Sequence, residues 1–349
     1  MTNKPSPLVS VLIPAYNCSD TVEQAVNSVL NQSYSHIEIV IVNDCSVDDT
    51  ATKLSELEAK NEKVSVYKNE QNLGYLRTFN KLLSLASGEY ITFLDSDDWI
   101  AATKIEKQVK FLSANHEYGF CGTGYSRTDS KGRVYQEVIL PEGNDEIQAS
   151  LNDKIEVCFC GSSVMVKRDV IECIGGYNEY FLGCPAEDYD WIRRMANKYK
   201  GYNLPETLYF YRFSEHSLTR NVQYDIKAQS AAEIAKLFDE QRRKYGQDAL
   251  SNPSYLTELE SFIKLKQDER DKFPHKLVKS KVINSAIQGE LGRTSKHLLE
   301  LFKMSPANAF VTMGVAITVL LIPNDVLLRV KVKLGKKFRG RAGRVRRKP

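Results

Sequence analysis

Apolar residues in this chain fall into two rhythms, short continuous runs and runs spaced three or four positions apart. Residues 8–14 (LVSVLIP), 37–42 (IEIVIV), 64–68 and 90–94 are continuous, β-favouring and of strand length. Between the first two, Val22, Ala25, Val26, Val29 and Leu30 share one face of a helix that opens at Ser19 or Asp20. Helices over 50–60 and 76–86 follow, the second preceded by an Asn72-Leu73-Gly74 turn. Strands alternating with helices over about a hundred residues predict an α/β fold built on a mostly parallel, doubly wound sheet.

Past residue 100 the pattern predicts a helix over 101–115, strands over 118–125 and 133–140, a polar loop or short helix over 141–153 and a strand over 162–167. CPAEDYDWIRRM then opens a helix at Glu187-Asp188, with Trp191, Ile192 and Met195 facing inward, Asp190 as an ordinary polar position, and a strand over 208–213 (LYFYRF). From 225 the composition turns to helix formers, over 225–245, 255–272, 276–288 and 294–304, punctuated by Gly246, Pro253 and Pro274. Residues 307–322 hold no charge, but sixteen residues closed by Pro323 fall short of the roughly 20 needed to cross a bilayer. A buried core helix or a membrane-dipping helix fits that stretch better than a span. Three regions result: a catalytic domain over 1–220, a helical accessory region over 221–304, and an apolar segment with a basic tail over 305–349.

Charge sharpens the last of these. The net +4 hides eleven Lys or Arg and no acid between Arg329 and Lys348, which leaves 37 basic against 44 acidic side chains in the preceding 328 residues, a formal −7. An apolar segment beside a polybasic one is a two-signal combination for attachment to an anionic membrane surface. With Phe338 its one aromatic, the tail lacks the interleaved rings of a nucleic-acid binder. Seven cysteines without Cys-x-x-Cys spacing, and an N-terminus lacking a long apolar run, point to a reducing cytoplasm, with neither structural zinc nor secretion.

The candidate chemistry sits where strands end. Asp95, Asp97 and Asp98 follow the run at 90–94, and three acids within four positions repel one another unless a cation lies among them. Hard oxygen ligands at the carboxyl end of a parallel strand suit Mg²⁺ or Mn²⁺ carrying a phosphate. A polar turn capping a helix near Ala101, with Asp98 as N-cap, is the plainer alternative. Residues 14–17 and Asp44 lie at the same edge of the sheet. No G-x-G-x-x-G follows the first strand and no G-x-x-x-x-G-K-[ST] occurs, which removes the main support for dinucleotide and P-loop enzymes.

VSVLIPAYN, IVIVNDCSVDDT, NLGYLRTFN and SGEYITFLDSDDWI, in this order and spacing, resemble the signatures of the family 2 glycosyltransferases of GT-A fold, over roughly residues 8–220. The resemblance implies a transferase that moves one sugar from a nucleotide-diphosphate donor, with Asp44 setting the expectation of a UDP-sugar, to a hydroxyl of a growing, lipid-linked glycan. It places Pro14, Ala15, Tyr16 and Asn17 around the nucleobase, with Asp44 accepting the imide N–H. Asn72, Gly74 and Arg77 would close the donor pocket, Asp95 would face the ribose and phosphates, and Asp97 would hold the cation, with His216 as a further metal contact. Asp188 would be the base and Glu187 would position the acceptor or the base. Gly175-Gly176-Tyr177 resembles the acceptor-facing part of the family, though Gly176 also suits a helix C-cap. The usual Asp-Asp-Gly-Ser is here Asn43-Asp44-Cys45-Ser46, and Cys tolerates positive φ poorly, so the turn geometry there is in question. The Gln-x-x-Arg-Trp of processive members is missing, which favours single-sugar addition. Two alternatives remain: a catalytically silent scaffold for glycan assembly and, with less support, a sugar-1-phosphate nucleotidyltransferase.

Overall fold

The computed structural model describes residues 6–153, 158–212, 225–287 and 290–321. The four apolar runs become the parallel half of one sheet. In chain order they and their helices are β1 (Val9–Ala15), α1 (Val22–Leu30), β2 (Ile37–Asn43), α2 (Thr50–Lys60), β3 (Val64–Lys68), α3 (Tyr75–Leu85) and β4 (Tyr90–Phe93). β1 lies between β2 and β4, with Val9 opposite both Ile37 and Tyr90, and β3 extends the sheet beyond β2. β1, β2 and β4 are covered on both faces and so are apolar at nearly every position, whereas the edge strand β3 buries only Val64 fully.

Beyond β4 the chain forms β5 (Trp99–Ile100), α4 (Lys104–Ala114), β6 (Tyr118–Thr128), β7 (Val134–Val138), α5 (Asn144–Asp153), β8 (Met165–Lys167), α6 (Arg168–Ile174), α7 (Glu187–Lys198) and β9 (Lys200–Arg212). The sheet runs β3-β2-β1-β4-β8-β6-β9-β5, with β7 paired to β6. β8 is antiparallel to β4 and β6, and β5 is antiparallel to β9. Val9, Val11 and Ile13 pack with α1, α2 and α4 on one face of the sheet. α3 lies against β1 and β2, where Phe79 stacks on Phe93 with centroids 4.6 Å apart.

Three expectations change here. The helix expected from 101 starts at Lys104, because Trp99 and Ile100 pair with Phe210 and Tyr209 and the Ala101 N–H bonds to Leu208 O at 2.9 Å. Asp98 therefore caps no helix; it is buried and accepts from the Tyr209 hydroxyl at 2.7 Å. β9 begins at Lys200, well before the aromatic run, and its buried Asn203 amide holds the carbonyls of Pro141 and Cys158.

The remaining helices are α8 (Ile226–Gln229), α9 (Ala231–Tyr245), α10 (Leu256–Lys272), α11 (Pro274–Ile287), α12 (Leu291–Met304) and α13 (Pro306–Leu321). The chain divides into two compact units. The first takes the described residues of Met1–Ser126, Glu137–Tyr211 and Ser230–Leu259, so α9 folds with the sheet. The second takes those of Arg127–Gln136, Arg212–Gln229 and Glu260–Pro349. Within it α11, α12 and α13 pack around Val278, Val282, Ala286, Leu301, Ala309 and Ala316.

α13 is neither a buried core helix nor long and apolar enough to span a membrane. It turns Ala309, Thr312 and Ala316 inward and leaves Phe310 58% and Val311 64% exposed, with Met313, Val315 and Ile317 also outward. The basic tail from Arg329 lies outside the described residues.

Candidate active site

Parallel register brings the ends of β1, β2 and β4 to one edge, with Ala15 opposite Asn43 and Leu12 opposite Phe93. Asn17 joins the first two loops: its N–H donates to Ser46 Oγ at 3.0 Å and its side-chain oxygen accepts from the Val47 N–H at 2.9 Å. Ala15 is buried, its carbonyl accepting from the Asp44 N–H at 2.8 Å, while Tyr16 is exposed.

Asp44 is 3% exposed and organises the loop before α3. Its Oδ1 accepts from Asn69 Nδ2 at 2.7 Å and the Leu73 N–H at 2.8 Å, and its Oδ2 accepts from the Gly74 N–H at 2.9 Å. Gly74 also takes the Asn72 side-chain oxygen at 3.0 Å, and its φ of 80° explains the glycine. Arg77, one turn into α3, is paired with Glu179 at 3.0 Å on the surface. Cys45 adopts φ 62°, so the glycine-type turn is kept with a side chain in the left-handed region. The positive-φ residues other than glycine among those described are Asn17, Cys45 and Ala186, following β1, following β2 and preceding α7. Strain of this kind is retained where surrounding structure enforces it, commonly at functional sites.

Asp95 is the junction of the site. Its Oδ2 accepts from the Ser162 hydroxyl at 2.6 Å, its Oδ1 from the Tyr75 hydroxyl at 3.2 Å, and its N–H donates to the Tyr209 hydroxyl at 3.3 Å. Burial raises its pKa against these bonds. Tyr75, Ser162 and Tyr209 were not singled out from the sequence; Tyr75, directly after the Gly74 turn, was the one with a positional signal. Tyr177 stacks on Phe79 with centroids 3.7 Å apart, lies 6.4 Å from the Tyr75 ring, and is fixed by Asn80 through both its N–H and its carbonyl. Gly175, with φ 75°, is the C-cap of α6; Gly176 is small for another reason, since a Cβ there would stand 2.2 Å from Asn80 Oδ1.

The second acidic pair arrives from α7. Ala186 at φ 80° swings Glu187 and Asp188 into the first helical turn, where the macrodipole favours acids. Gly161 leaves room for the Asp188 carboxylate: a Cβ on it would lie 2.7 Å from Asp188 Oδ2. Glu187 is pushed up to about 8, by burial first and then by the charges of Asp188 and Asp95. Asp188 is raised as well, by burial and by Asp95. Asp95, remote in sequence, is thus close enough to raise both Glu187 and Asp188, and Gly161 under Asp188 adjoins the Ser162 that bonds Asp95. Asp190 is no ordinary polar position: it is fully buried between Arg194 and Arg242, each at 2.8 Å.

Among the described residues no three His, Cys, Asp or Glu side chains form a metal cage. Asp97 sits half-buried on the turn between Asp95 and Asp98, and His216 lies outside the described residues. One carboxylate at a strand end fits a cation that takes its other ligands from phosphate oxygens and water, the usual habit of Mg²⁺.

An α/β sheet with acids and a tight backbone loop at its carboxyl edge, faced by a second acidic pair on a helix, defines a GT-A transferase architecture. The family model for Glycosyl transferase family 2 matches residues 10–175, and the chain belongs to that family. It is 34% identical over 221 residues to TuaG of Bacillus subtilis (strain 168), named for teichuronic acid biosynthesis, covering 63% of this chain and 84% of TuaG. It is 30% identical over 224 residues to the Escherichia coli UDP-Glc:alpha-D-GlcNAc-diphosphoundecaprenol beta-1,3-glucosyltransferase WfaP, covering 64% of this chain and 84% of WfaP. The fold is shared with the mannosyltransferase PcManGT from Pyrobaculum calidifontis, solved with GDP-Man and Mn²⁺, at TM-score 0.51 and 17% identity over 95% of this chain and 81% of that one.

Proposed function

We propose that this protein transfers a single sugar from a UDP-sugar to a hydroxyl of a lipid-linked glycan, inverting the anomeric centre in one displacement. The convergence of Asp95 with Glu187 and Asp188 carries this reading, because it sets a perturbed acid pair beside a strand-end donor site. A UDP-glucose donor and a diphosphoundecaprenol-linked acceptor in the name of WfaP support the substrate class.

Pro14, Ala15, Tyr16 and Asn17 flank the base, and Asp44 accepts its imide N–H while holding the loop of Asn72 and Gly74 against the donor; Arg77 closes the far side. Asp95, fixed by Tyr75 and Ser162, takes the ribose and phosphate side. Asp188 removes the acceptor proton, the acceptor oxygen bonds to the anomeric carbon, and the bond from that carbon to the diphosphate oxygen breaks on the opposite face. A raised pKa makes Asp188 a stronger base than an ordinary carboxylate. Glu187, largely protonated at neutral pH, can donate to the acceptor and so orient it. A divalent cation, Mn²⁺ or Mg²⁺, held at Asp97 with His216 as a further contact, would supply positive charge against the leaving diphosphate.

The catalytic side chains belong to 1–220; of the helical region over 221–304, α9 folds with the sheet and the part from Glu260 is accessory. The region over 305–349 holds the enzyme to the inner face of the cell membrane: α13 offers its apolar side chains, and the tail from Arg329 offers positive charge to anionic lipid rather than to nucleic acid.

The test is nucleotide release by the purified full chain with Mn²⁺ or Mg²⁺ across UDP-, GDP- and dTDP-sugars with lipid-linked acceptors, beside UDP binding. Asp188→Asn should lower transfer by about 10²- to 10⁴-fold with UDP binding kept. Asp97→Ala should lose both transfer and metal-dependent UDP binding. Near-normal transfer by Asp188→Asn removes that residue as the base, and wild-type protein without turnover or binding makes the silent scaffold the better reading.

A further inference from the structure

We propose that Asp190 is a positioning residue for the Asp188 base and that α9, beyond the family match, is thereby part of the catalytic apparatus; this rests on the reading of Asp188 as the base. Asp190 lies two residues after Asp188 in the same first turn, its N–H bonded to Ala186 O at 3.2 Å. Its side chain is wholly buried and divides its oxygens between two arginines. Oδ2 accepts from Arg194 Nε and Oδ1 from Arg242 Nη2, both at 2.8 Å.

Each arginine reaches a different segment. Arg194 donates through Nη1 to Ile174 O at 2.7 Å and through Nη2 to Gly176 O at 2.6 Å, the carbonyls just before Tyr177. Arg242, on α9, donates through Nη1 to Asp248 Oδ2 at 2.9 Å. Asp190 therefore ties together the turn carrying the base, the segment carrying Tyr177, and α9. Tyr177 packs its ring against that of Tyr75, with centroids 6.4 Å apart, and the Tyr75 hydroxyl donates to Asp95, so the same tie reaches the donor side.

Stability alone is a poor account of this arrangement. A buried ion network is often matched or bettered by apolar packing, and here both Arg242 Nε and Arg193 Nε are left buried without a partner. What the network offers over apolar packing is direction, since charged bonds of fixed geometry hold three segments at set angles. Arg193 provides an internal comparison. It also joins α7 to α9, bonding Asp239 Oδ2 and Leu151 O, both at 2.6 Å, but it does not touch 174–176.

The experiment measures kcat, donor KM and UDP binding for Asp190→Asn, Arg242→Lys, Arg242→Met and Asp239→Asn in the full chain, with Asp190→Asn also placed in Asp188→Asn. Asp190→Asn should lower kcat about 10- to 100-fold, the scale of a small misplacement, with donor KM and UDP binding unchanged. Arg242→Lys should recover part of the loss seen in Arg242→Met. In the Asp188→Asn background Asp190→Asn should cost little more, because residues acting as one unit are not additive. Asp239→Asn should lower the melting temperature without that split. An additive loss in the double variant, UDP binding that falls with kcat, or an equal kcat loss in Asp239→Asn overturns the proposal. If Asp190→Asn does not fold, the Arg242 pair carries the comparison, and equal losses in Lys and Met variants overturn it. Near-normal transfer by Asp188→Asn alone is a separate result, which removes the base and this proposal with it.

Discussion

α7 and α13 both break the rule that helices hide apolar side chains and show charged ones, in opposite directions. α7 buries Asp190 and Arg193 along with Trp191, Ile192 and Met195. α13 buries Ala309, Thr312 and Ala316 and turns Phe310, Val311 and Ile317 outward. Burying charge costs desolvation unless every partner is supplied, and exposing large apolar groups forfeits roughly 1.5–3 kcal/mol for each side chain. In the first helix the buried charges bond charged partners within a turn of Asp188, and in the second the outward apolar side chains build a surface.

The contrast breaks first at the acid pair. Gly161→Ala should cut transfer by about 10- to 100-fold by displacing the Asp188 carboxylate, while UDP binding persists; steady-state kinetics beside UDP titration would show it, and unchanged kcat would mean that Asp188 is not held there. On the other helix, Phe310→Ser combined with Ile317→Ser should weaken co-sedimentation with phosphatidylglycerol vesicles about tenfold, less than full burial of both would predict. Turnover on a soluble acceptor should not change; if vesicle binding is also unchanged, α13 is not the lipid-facing element.

A smaller effect tests the electrostatics of the pair. The fold raises Glu187 from 4.5 to about 8, so it favours the protonated form. Its stabilisation is full below pH 4.5 and is lost as pH rises toward 8. Glu187→Gln should therefore flatten the fall of melting temperature over that window and gain about 2–4 °C at its upper end. A variant whose pH dependence follows wild type would show that another group titrates. The smallest change is expected at Cys45, where Gly should relieve left-handed strain but lose backbone entropy, a net gain of about 0.5 kcal/mol in denaturant unfolding.

The sheet was legible because continuous apolar runs have one good fate, and the acids at strand ends because register follows from the runs. Side chains that act through partners were harder. Asp190 and Arg194 stand one helical turn apart, a spacing as typical of solvated ion pairs as of buried ones, and only Arg242, fifty residues on, decides which. Tyr209 gains its place at Asp95 from antiparallel β9, and Ser162 from the single helical turn just before β8, and no local pattern encodes either pairing. β5 is two residues long, too short for alternation to register. The exposed side of α13 was hidden for the converse reason: an all-apolar stretch has no polar face to show which way it points.

Both tryptophans of the chain stand beside this chemistry. Trp99 follows Asp98 directly and stacks on Phe210 with centroids 5.2 Å apart, and Trp191, three residues after Asp188, donates its indole N–H to Gly175 O at 2.8 Å. Tryptophan emission from the unlabelled protein, excited selectively over its 18 tyrosines, therefore originates entirely next to the two acidic groups. Occupancy of either side can be followed optically in the native chain, with Trp99→Phe and Trp191→Phe separating the two signals.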